Sequence, residues 1–302
     1  MRALLVVNPQ ATATTAAGRD VLAHALASDV KLDVLETSYR GHARDAAEQA
    51  ARDGVDLVVA HGGDGTVNEV VNGLMAIGGE PPMLGVVPGG SANVFARALG
   101  LPRDPVEATH RLLRAIETGH SRRVGLGRAD DRWFTFSAGV GWDAEVVAAV
   151  DELRRKHASP ALYVGTTLAQ YVQQALRGPK LSVSLPDGEP IADVRLAIIC
   201  NADPWTYLGA RPLRLLPNAS FDAGLSLFAL NTLATPTVLR HVAQVLRGRK
   251  PPHGSRVVTR DDVARIVVTA DRPVRFQVDG DLGGERTRVE FVSAPEALRV
   301  AV

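Results

Sequence analysis

Between an apolar run, Val55 to Ala60, and a helical repeat of Val67, Val70, Val71, Leu74 and Met75 stands the loop His61-Gly62-Gly63-Asp64-Gly65-Thr66. A short apolar run without alternation predicts a strand buried on both faces, the habit of parallel sheets covered by helices. A loop that leaves the carboxyl end of such a strand and opens a helix carries unpaired N–H groups at the positive end of a helix dipole. Gly62, Gly63 and Gly65 are expected to give the tight dihedrals and close backbone approach that phosphate oxygens need. Thr66 and Glu69 also match a capping box, which explains a helix start without any ligand. Capping needs neither three glycines nor an acid among them, so the loop reads as a phosphate site, and both roles can coexist in Thr66.

The surrounding pattern agrees. Up to about residue 120 strands and helices alternate: strand Ala3 to Val7, helix Thr15 to Ala27, strand Leu32 to Glu36, helix Gly41 to Arg52, strand Val55 to Ala60, helix Thr66 to Ile77, strand Leu84 to Val87, helix Ala92 to Ala98, then a helix over Pro102 to Glu117. Such repetition predicts a doubly wound parallel sheet, an α/β fold whose ligands bind outside the carboxyl ends of the strands. After about residue 121 the texture changes to short strands: Arg123 to Gly127, Trp133 to Ser137, Leu181 to Leu185, Val194 to Ile199, Leu225 to Leu230, Val257 to Arg260, Ile266 to Thr269, Val274 to Val278 and Val289 to Val292. Helical patterns interrupt them at Asp143 to Lys156, Pro160 to Leu176 and Thr235 to Leu246. The expectation is two domains, 1–121 and 122–302, the second a mainly antiparallel β-sandwich whose last strand is free to return to the first.

With 34 basic and 33 acidic residues the net charge is +1, which gives no reason to expect nucleic-acid binding. The single cysteine, Cys200, excludes a disulfide framework and a thiolate metal cluster, and suits a reducing cytoplasmic setting. The amino terminus is too short in apolar residues for a signal peptide, and no run approaches a membrane span, so a membrane would be met from the side. The clusters Arg154, Arg155, Lys156, His157 and Arg247, Arg249, Lys250 would suit anionic headgroups, or simply be solvated helix ends.

Three more loops end strands of the first domain: Asn8-Pro9, Thr37, and Pro88-Gly89-Gly90-Ser91 with Asn93, where Ser91 has the chemistry of a helix N-cap. The second domain adds two acidic turns, one with Asp222 and Gly224, the other Asp279-Gly280-Asp281, which alone reads as a hairpin turn. No Gly-x-x-x-x-Gly-Lys-Ser/Thr, Gly-x-Ser-x-Gly or His-Glu-x-x-His is present, and His61 is expected to pack rather than act as a base.

Taken together, Asn8-Pro9, Thr37 with Gly41-His42-Ala43, Gly62 to Glu69, Pro88 to Arg97, Gly139-Val140-Gly141-Trp142-Asp143-Ala144 and Val278-Asp279-Gly280-Asp281 resemble the diacylglycerol kinase catalytic-domain family, which includes bacterial soluble lipid kinases, sphingosine and ceramide kinases and, more distantly, NAD kinases. The resemblance implies an NAD kinase-like, ATP-binding first domain and a sandwich that takes the lipid. It implies nucleotide contacts from Asn8, Pro9, Gln10, Ala11, Thr12, Thr37, Gly62, Gly63, Asp64, Gly65, Thr66, Val67, Asn68, Gly90 and Ser91. Asp64 would act with magnesium and the phosphates, and Asp281 would be the general base for a lipid hydroxyl, most directly that of diacylglycerol. Sphingosine, ceramide and NAD are the alternative acceptors, and a nucleotide- or lipid-binding protein with little turnover is the alternative class. Partners implied are a lipid at the membrane surface and no nucleic acid, with a homodimer left open.

The chain departs from the family in four places. Gln10-Ala11-Thr12 stands for the usual x-Ser-Gly, although Thr12, Thr14 and Thr15 can donate hydroxyls, and Ser91 stands for threonine. Asp281 stands for glutamate, one methylene shorter, and Asp222-Ala223-Gly224 replaces an Asp-Asp-Gly turn. The last change removes a hard oxygen ligand beside Asp222 and so weakens the structural magnesium site that the resemblance implies there.

Overall fold

The computed structural model describes residues 1–145, 178–248 and 251–302. The helix expected over 143–156 is described only at 143–145, which are helical; its remainder, the helix expected over 160–176 and the basic residues Arg154, Arg155, Lys156, His157, Arg249 and Lys250 lie outside the described residues. The chain forms two compact units, Met1–Leu126 with Thr206–Arg211 and Pro295–Val302, and Gly127–Trp205 with Pro212–Ala294.

The first unit runs β1 (Arg2–Val7), α1 (Ala16–Ala27), β2 (Lys31–Glu36), α2 (His42–Arg52), β3 (Leu57–Gly62), α3 (Asp64–Leu74), β4 (Met83–Pro88), α4 (Val94–Ala98) and α5 (Pro105–Thr118). Its strands are all parallel, in the order β4-β3-β1-β2, and Val300 near the end of the chain pairs with Leu84 beyond β4. β3 and β4 are buried at every position, as unbroken apolar runs require, whereas β2 is an edge strand studded with Lys31, Asp33 and Glu36. Leu5, Val7, Leu22, Leu26, Leu57, Val59 and Leu112 pack one face of the sheet.

Local chemistry sets the helix ends. Thr15 Oγ1 accepts from Gly18 N at 3.0 Å, and Asp104 Oδ1 accepts from Val106 N and Glu107 N ahead of Pro105. The expected capping box of Thr66 and Glu69 is not formed. Helix α3 starts two residues earlier, at Asp64 behind Gly63, and the Glu69 carboxylate instead accepts from Gly41 N (2.9 Å) and Ala43 N (3.3 Å), capping α2. That substitution of partners has a packing cause: Gly73 lets α3 lie against Arg44 and Ala47 of α2, which brings Glu69 over the exposed amides of its neighbour. Ser91 likewise is not an N-cap, since α4 begins after Asn93, at φ 48°.

The second unit holds β5 (Ser121–Ala129, which starts in the first unit), β6 (Arg132–Phe134), β7 (Ser137–Gly141), β8 (Leu181–Ser184), β9 (Ile191–Val194), β10 (Leu196–Cys200), β12 (Arg211–Leu213, paired with β11, Thr206–Leu208), β13 (Leu225–Leu230), α6 (Thr235–Arg247), β14 (Val257–Val263), β15 (Arg265–Val278) and β16 (Asp281–Ala301, whose end belongs to the first unit). It is the mainly antiparallel β-sandwich, ordered β14-β13-β10-β7-β15-β16. The strands expected at Ile266 to Thr269 and Val274 to Val278 are one strand, β15, with a break in register between them. That break lets β15 pair with β8 along Val267–Ala270 and with β7 along Phe276–Val278. Val183, Ile199, Leu227, Ile266, Phe276 and Phe291 form its core. No helix of the described residues is long and apolar enough to cross a membrane.

Candidate active site

In the first sheet β1 lies between β2 and β3, so the chain leaves β1 to one side and returns on the other. The loops after β1 and β3 therefore diverge at a topological switch point, where open α/β sheets take ligands. Hydrogen bonds stitch the two loops to the one after β4. Asn8 N donates to His61 O (3.0 Å), Asn8 Nδ2 to Thr66 Oγ1 (3.1 Å), Gly89 N to Gly62 O (2.8 Å) and Ala13 N to Gly89 O (2.7 Å). Asn8 Oδ1 accepts from Gln10 N at 3.0 Å, and Asn93 closes its own loop by accepting from Gly90 N (2.9 Å) and donating to Gly90 O (2.7 Å).

The glycines serve this stitching rather than unusual dihedrals. Neither Gly62, Gly63 nor Gly65 has positive φ, contrary to the expectation of tight turns, and Gly65 is already inside α3. A Cβ on Gly62 would stand 2.5 Å from Thr66 Oγ1, and one on Gly90 would stand 2.6 Å from the Gly63 Cα. A Cβ on Gly89 would meet Thr14 Oγ1 at 2.7 Å. That hydroxyl is buried and has no hydrogen-bond partner, which marks a place for an acceptor. The α3 opening turn directs its amides along the helix axis at the same loop, so the residues fit a polyphosphate.

The other site residues fall into place around this cradle. Asp64 is the first residue of α3, and its Oδ1 accepts from Phe95 N at 3.3 Å. Thr66 is a buried acceptor for Asn8, so loss of its hydroxyl removes one inter-loop hydrogen bond and no cap. We expect Thr66→Ala to cost about 0.5–1.5 kcal/mol in urea unfolding and to weaken nucleotide binding by more than that stability change explains. Val67 and Asn68 are buried, and the Val67 amide is given to Gly63 O at 3.1 Å. Thr37 N donates to Val7 O at 2.8 Å, and Pro9, Gln10, Thr12 and Ser91 are exposed while Ala11 is half-buried. His61 is a packing residue: it is buried, its Nδ1 lies 3.1 Å from Val87 O, and burial holds its pKa down.

Arg97 ends the Pro88 to Arg97 segment, and its type and position alone give it no role. Its guanidinium stacks on Tyr207 at 3.1 Å from the ring centre and donates to Gly209 O (3.2 Å) and Ala210 O (3.0 Å). Desolvation lowers its pKa, while Tyr207 and Asp64 support its charge. Tyr207 is thus a stacking platform; Trp205 is partly buried against the Leu196–Phe228 core, and Leu208 is exposed.

In the second unit the turn Asp279-Gly280 links β15 to β16 with Val278 opposite Asp281, and both turn residues have positive φ, 49° and 82°, as a two-residue hairpin requires. Its two acids differ. Asp279 is buried and accepts from Thr135 N (2.7 Å), Thr135 Oγ1 (2.8 Å), Phe136 N (3.0 Å) and Ser137 N (3.1 Å). Asp281 is half-buried, with Oδ2 at 3.3 Å from the Arg132 guanidinium. Asp222 is exposed, and among the described residues no three His, Cys, Asp or Glu side chains gather as a metal cluster.

A third carboxylate, Asp143, accepts from Gln277 Nε2 at 2.7 Å. Burial raises its pKa from 3.8 to about 6, with the Gln277 amide opposing the shift. A raised folded pKa favours the native state below about pH 4, and that contribution is lost as pH climbs through about 6. Asp143→Asn should therefore gain on the native protein by about 2 kcal/mol between pH 4.5 and 7.5, read as the difference between their urea midpoints.

A parallel α/β unit with a stitched glycine cradle, followed by an antiparallel sandwich, is the NAD kinase-like fold. The diacylglycerol kinase catalytic domain pattern matches residues 2–129. The chain is 30% identical over 254 residues to the diacylglycerol kinase of Bacillus subtilis, covering 82% of this chain and 78% of that one. It is 38% identical over 181 residues to a probable lipid kinase YegS-like protein of Chromohalobacter salexigens, covering 59% of this chain and 55% of that one. A crystal structure of a putative diacylglycerol kinase from Bacillus anthracis superposes with TM-score 0.77 at 23% identity, covering 99% of this chain and 96% of that one. An NAD kinase of Archaeoglobus fulgidus in complex with ATP superposes with TM-score 0.58 at 13% identity, covering 100% and 94%, a likeness of fold alone. The chain belongs to the diacylglycerol kinase family and is a lipid kinase.

Proposed function

We propose that the protein transfers the γ-phosphate of ATP to the free hydroxyl of diacylglycerol, giving phosphatidic acid and ADP. The cradle of Asn8, Gly62, Gly63, Thr66, Gly89 and Gly90 carries this reading, because its loops converge at the switch point with helix amides and the unpartnered Thr14 hydroxyl turned to an anion. Asp64 is the cradle residue suited to hold magnesium, since that ion takes one or two carboxylates and fills its remaining positions with phosphate and water oxygens. The ion would neutralise charge on the phosphates.

Phosphoryl transfer asks the protein mainly to position two oxygens in line and to hold charge. The acceptor hydroxyl forms a bond to the γ-phosphorus while the bond to the β–γ bridging oxygen breaks, and the hydroxyl proton passes to Asp281. The hairpin fixes Asp281 at the first residue of β16, and Arg132 orients its carboxylate. The substrate reaches the enzyme from a membrane surface, at the cytoplasmic face.

Magnesium, γ-labelled ATP and mixed micelles holding diacylglycerol, ceramide, sphingosine or monoacylglycerol, with NAD as a soluble comparison, test the reading. Label is expected in phosphatidic acid. Label in another lipid would replace the acceptor, label in NAD would move the activity to the sister branch, and ATP binding without transfer would leave a binding protein.

A further inference from the structure

Helix α6 is apolar on two sides. Val238 and Val245 are buried against the core of Leu196, Ile198 and Phe228. Leu239, Val242 and Leu246 are 62%, 47% and 37% exposed, and their spacing places them along one face of the helix. Arg240 and Arg247 each follow a leucine of that stripe by one residue, so both run along its flank, and both are exposed. From residue 223 to 260 the sequence has Arg240, Arg247, Arg249, Lys250, Arg256 and Arg260 and not one Asp or Glu.

An aliphatic stripe edged by one sign of charge matches an interface that is apolar within and anionic at its rim. An anionic lipid bilayer has that profile, with acyl chains to receive the leucines and headgroup phosphates to meet the arginines. We infer that α6 docks the protein on anionic bilayers through Leu239, Val242 and Leu246, with Arg240 and Arg247 on the headgroup phosphates. The inference rests on the lipid-kinase reading for its purpose, bringing the enzyme to a bilayer-borne substrate, but it is read by binding alone.

The test is co-sedimentation of the full chain with vesicles of phosphatidylcholine, alone or mixed with phosphatidylglycerol, at low and high salt. Binding is expected on the mixed vesicles and should weaken with salt. The double variants Leu239→Ser/Leu246→Ser and Arg240→Glu/Arg247→Glu should each bind about tenfold more weakly or worse. Their melting and their turnover of a water-dispersed short-chain diacylglycerol should match the native protein. Should either double variant melt lower, Val242→Glu takes its place.

Native-like vesicle binding by these variants would overturn the docking surface whatever the kinase activity. So would a native dimer that the leucine variant turns into monomer, because the stripe would then face a second copy. Vesicle binding that depends on α6 in a protein without lipid phosphorylation would uphold the docking surface and remove the kinase reading.

Discussion

Asp281→Asn should lower turnover of diacylglycerol by about 10²–10⁴-fold, the usual contribution of a positioned general base. Asparagine keeps the shape of the side chain and can still meet Arg132, but it cannot take a proton. The loss should fall on kcat, with the KM for ATP little changed, because Asp281 belongs to the second unit and has no place in the glycine cradle. Stability should move by less than about 1 kcal/mol, as expected for a half-exposed pair with Arg132. Asp279, two residues away, should behave in the opposite way. Asp279→Ala strips the acceptor from the Thr135, Phe136 and Ser137 amides and the Thr135 hydroxyl, all buried, and should cost about 3 kcal/mol or more in urea unfolding. Full activity in Asp281→Asn would remove the base from the mechanism, and equal destabilisation by both substitutions would mean that the turn merely holds the fold.

The second large effect is expected at Asp64. Asp64→Asn should reduce transfer by about 10²-fold or more, since it removes the carboxylate proposed to act with magnesium and the phosphates. The structural cost is bounded. The carboxylate accepts one long hydrogen bond from Phe95 N and sits in the first turn of α3, where a negative charge contributes about 0.3–1 kcal/mol. The asparagine oxygen can keep the Phe95 contact, so the melting temperature should shift only slightly while activity collapses. Turnover measured across magnesium concentrations separates the roles: a metal-linked Asp64 predicts a raised magnesium requirement in the variant, whereas a positioning role for α4 alone predicts the native requirement. Unchanged turnover in both Asp64→Asn and Asp281→Asn would sink the proposed mechanism.

The first unit was legible because its signals are local. A short apolar run bounded by polar residues reads as a buried strand, a glycine loop followed by helical spacing reads as the helix start, and repetition of that unit predicts a parallel sheet with its ligand edge at the strand ends. The second unit was legible in type but not in extent. β15 reads as two strands because Asp271, Arg272 and Pro273 interrupt its apolar pattern, and β16 shows apolar character mainly at Val289 to Val292 although it runs from Asp281 to Ala301. Those interruptions are tolerated because the strand changes partners there, which no single segment records.

The site divides along the same line. Residue type, order and spacing by themselves determined that a glycine loop with an acid stands at a strand-to-helix junction, and that an Asp-Gly-Asp turn closes a hairpin. Only the tertiary structure decided what each residue does there. Glu69 looks like the partner of Thr66 in a cap, yet it caps the neighbouring helix because Gly73 brings α2 close. Asp279 and Asp281 are the same residue in one turn, yet the first is enclosed by the amides of residues 135–137 and the second reaches Arg132 at a half-open position. The reason is physical: a strand or a turn is fixed by neighbours in sequence, whereas the burial and hydrogen-bond partners that make a carboxylate structural or reactive come from segments more than a hundred residues away.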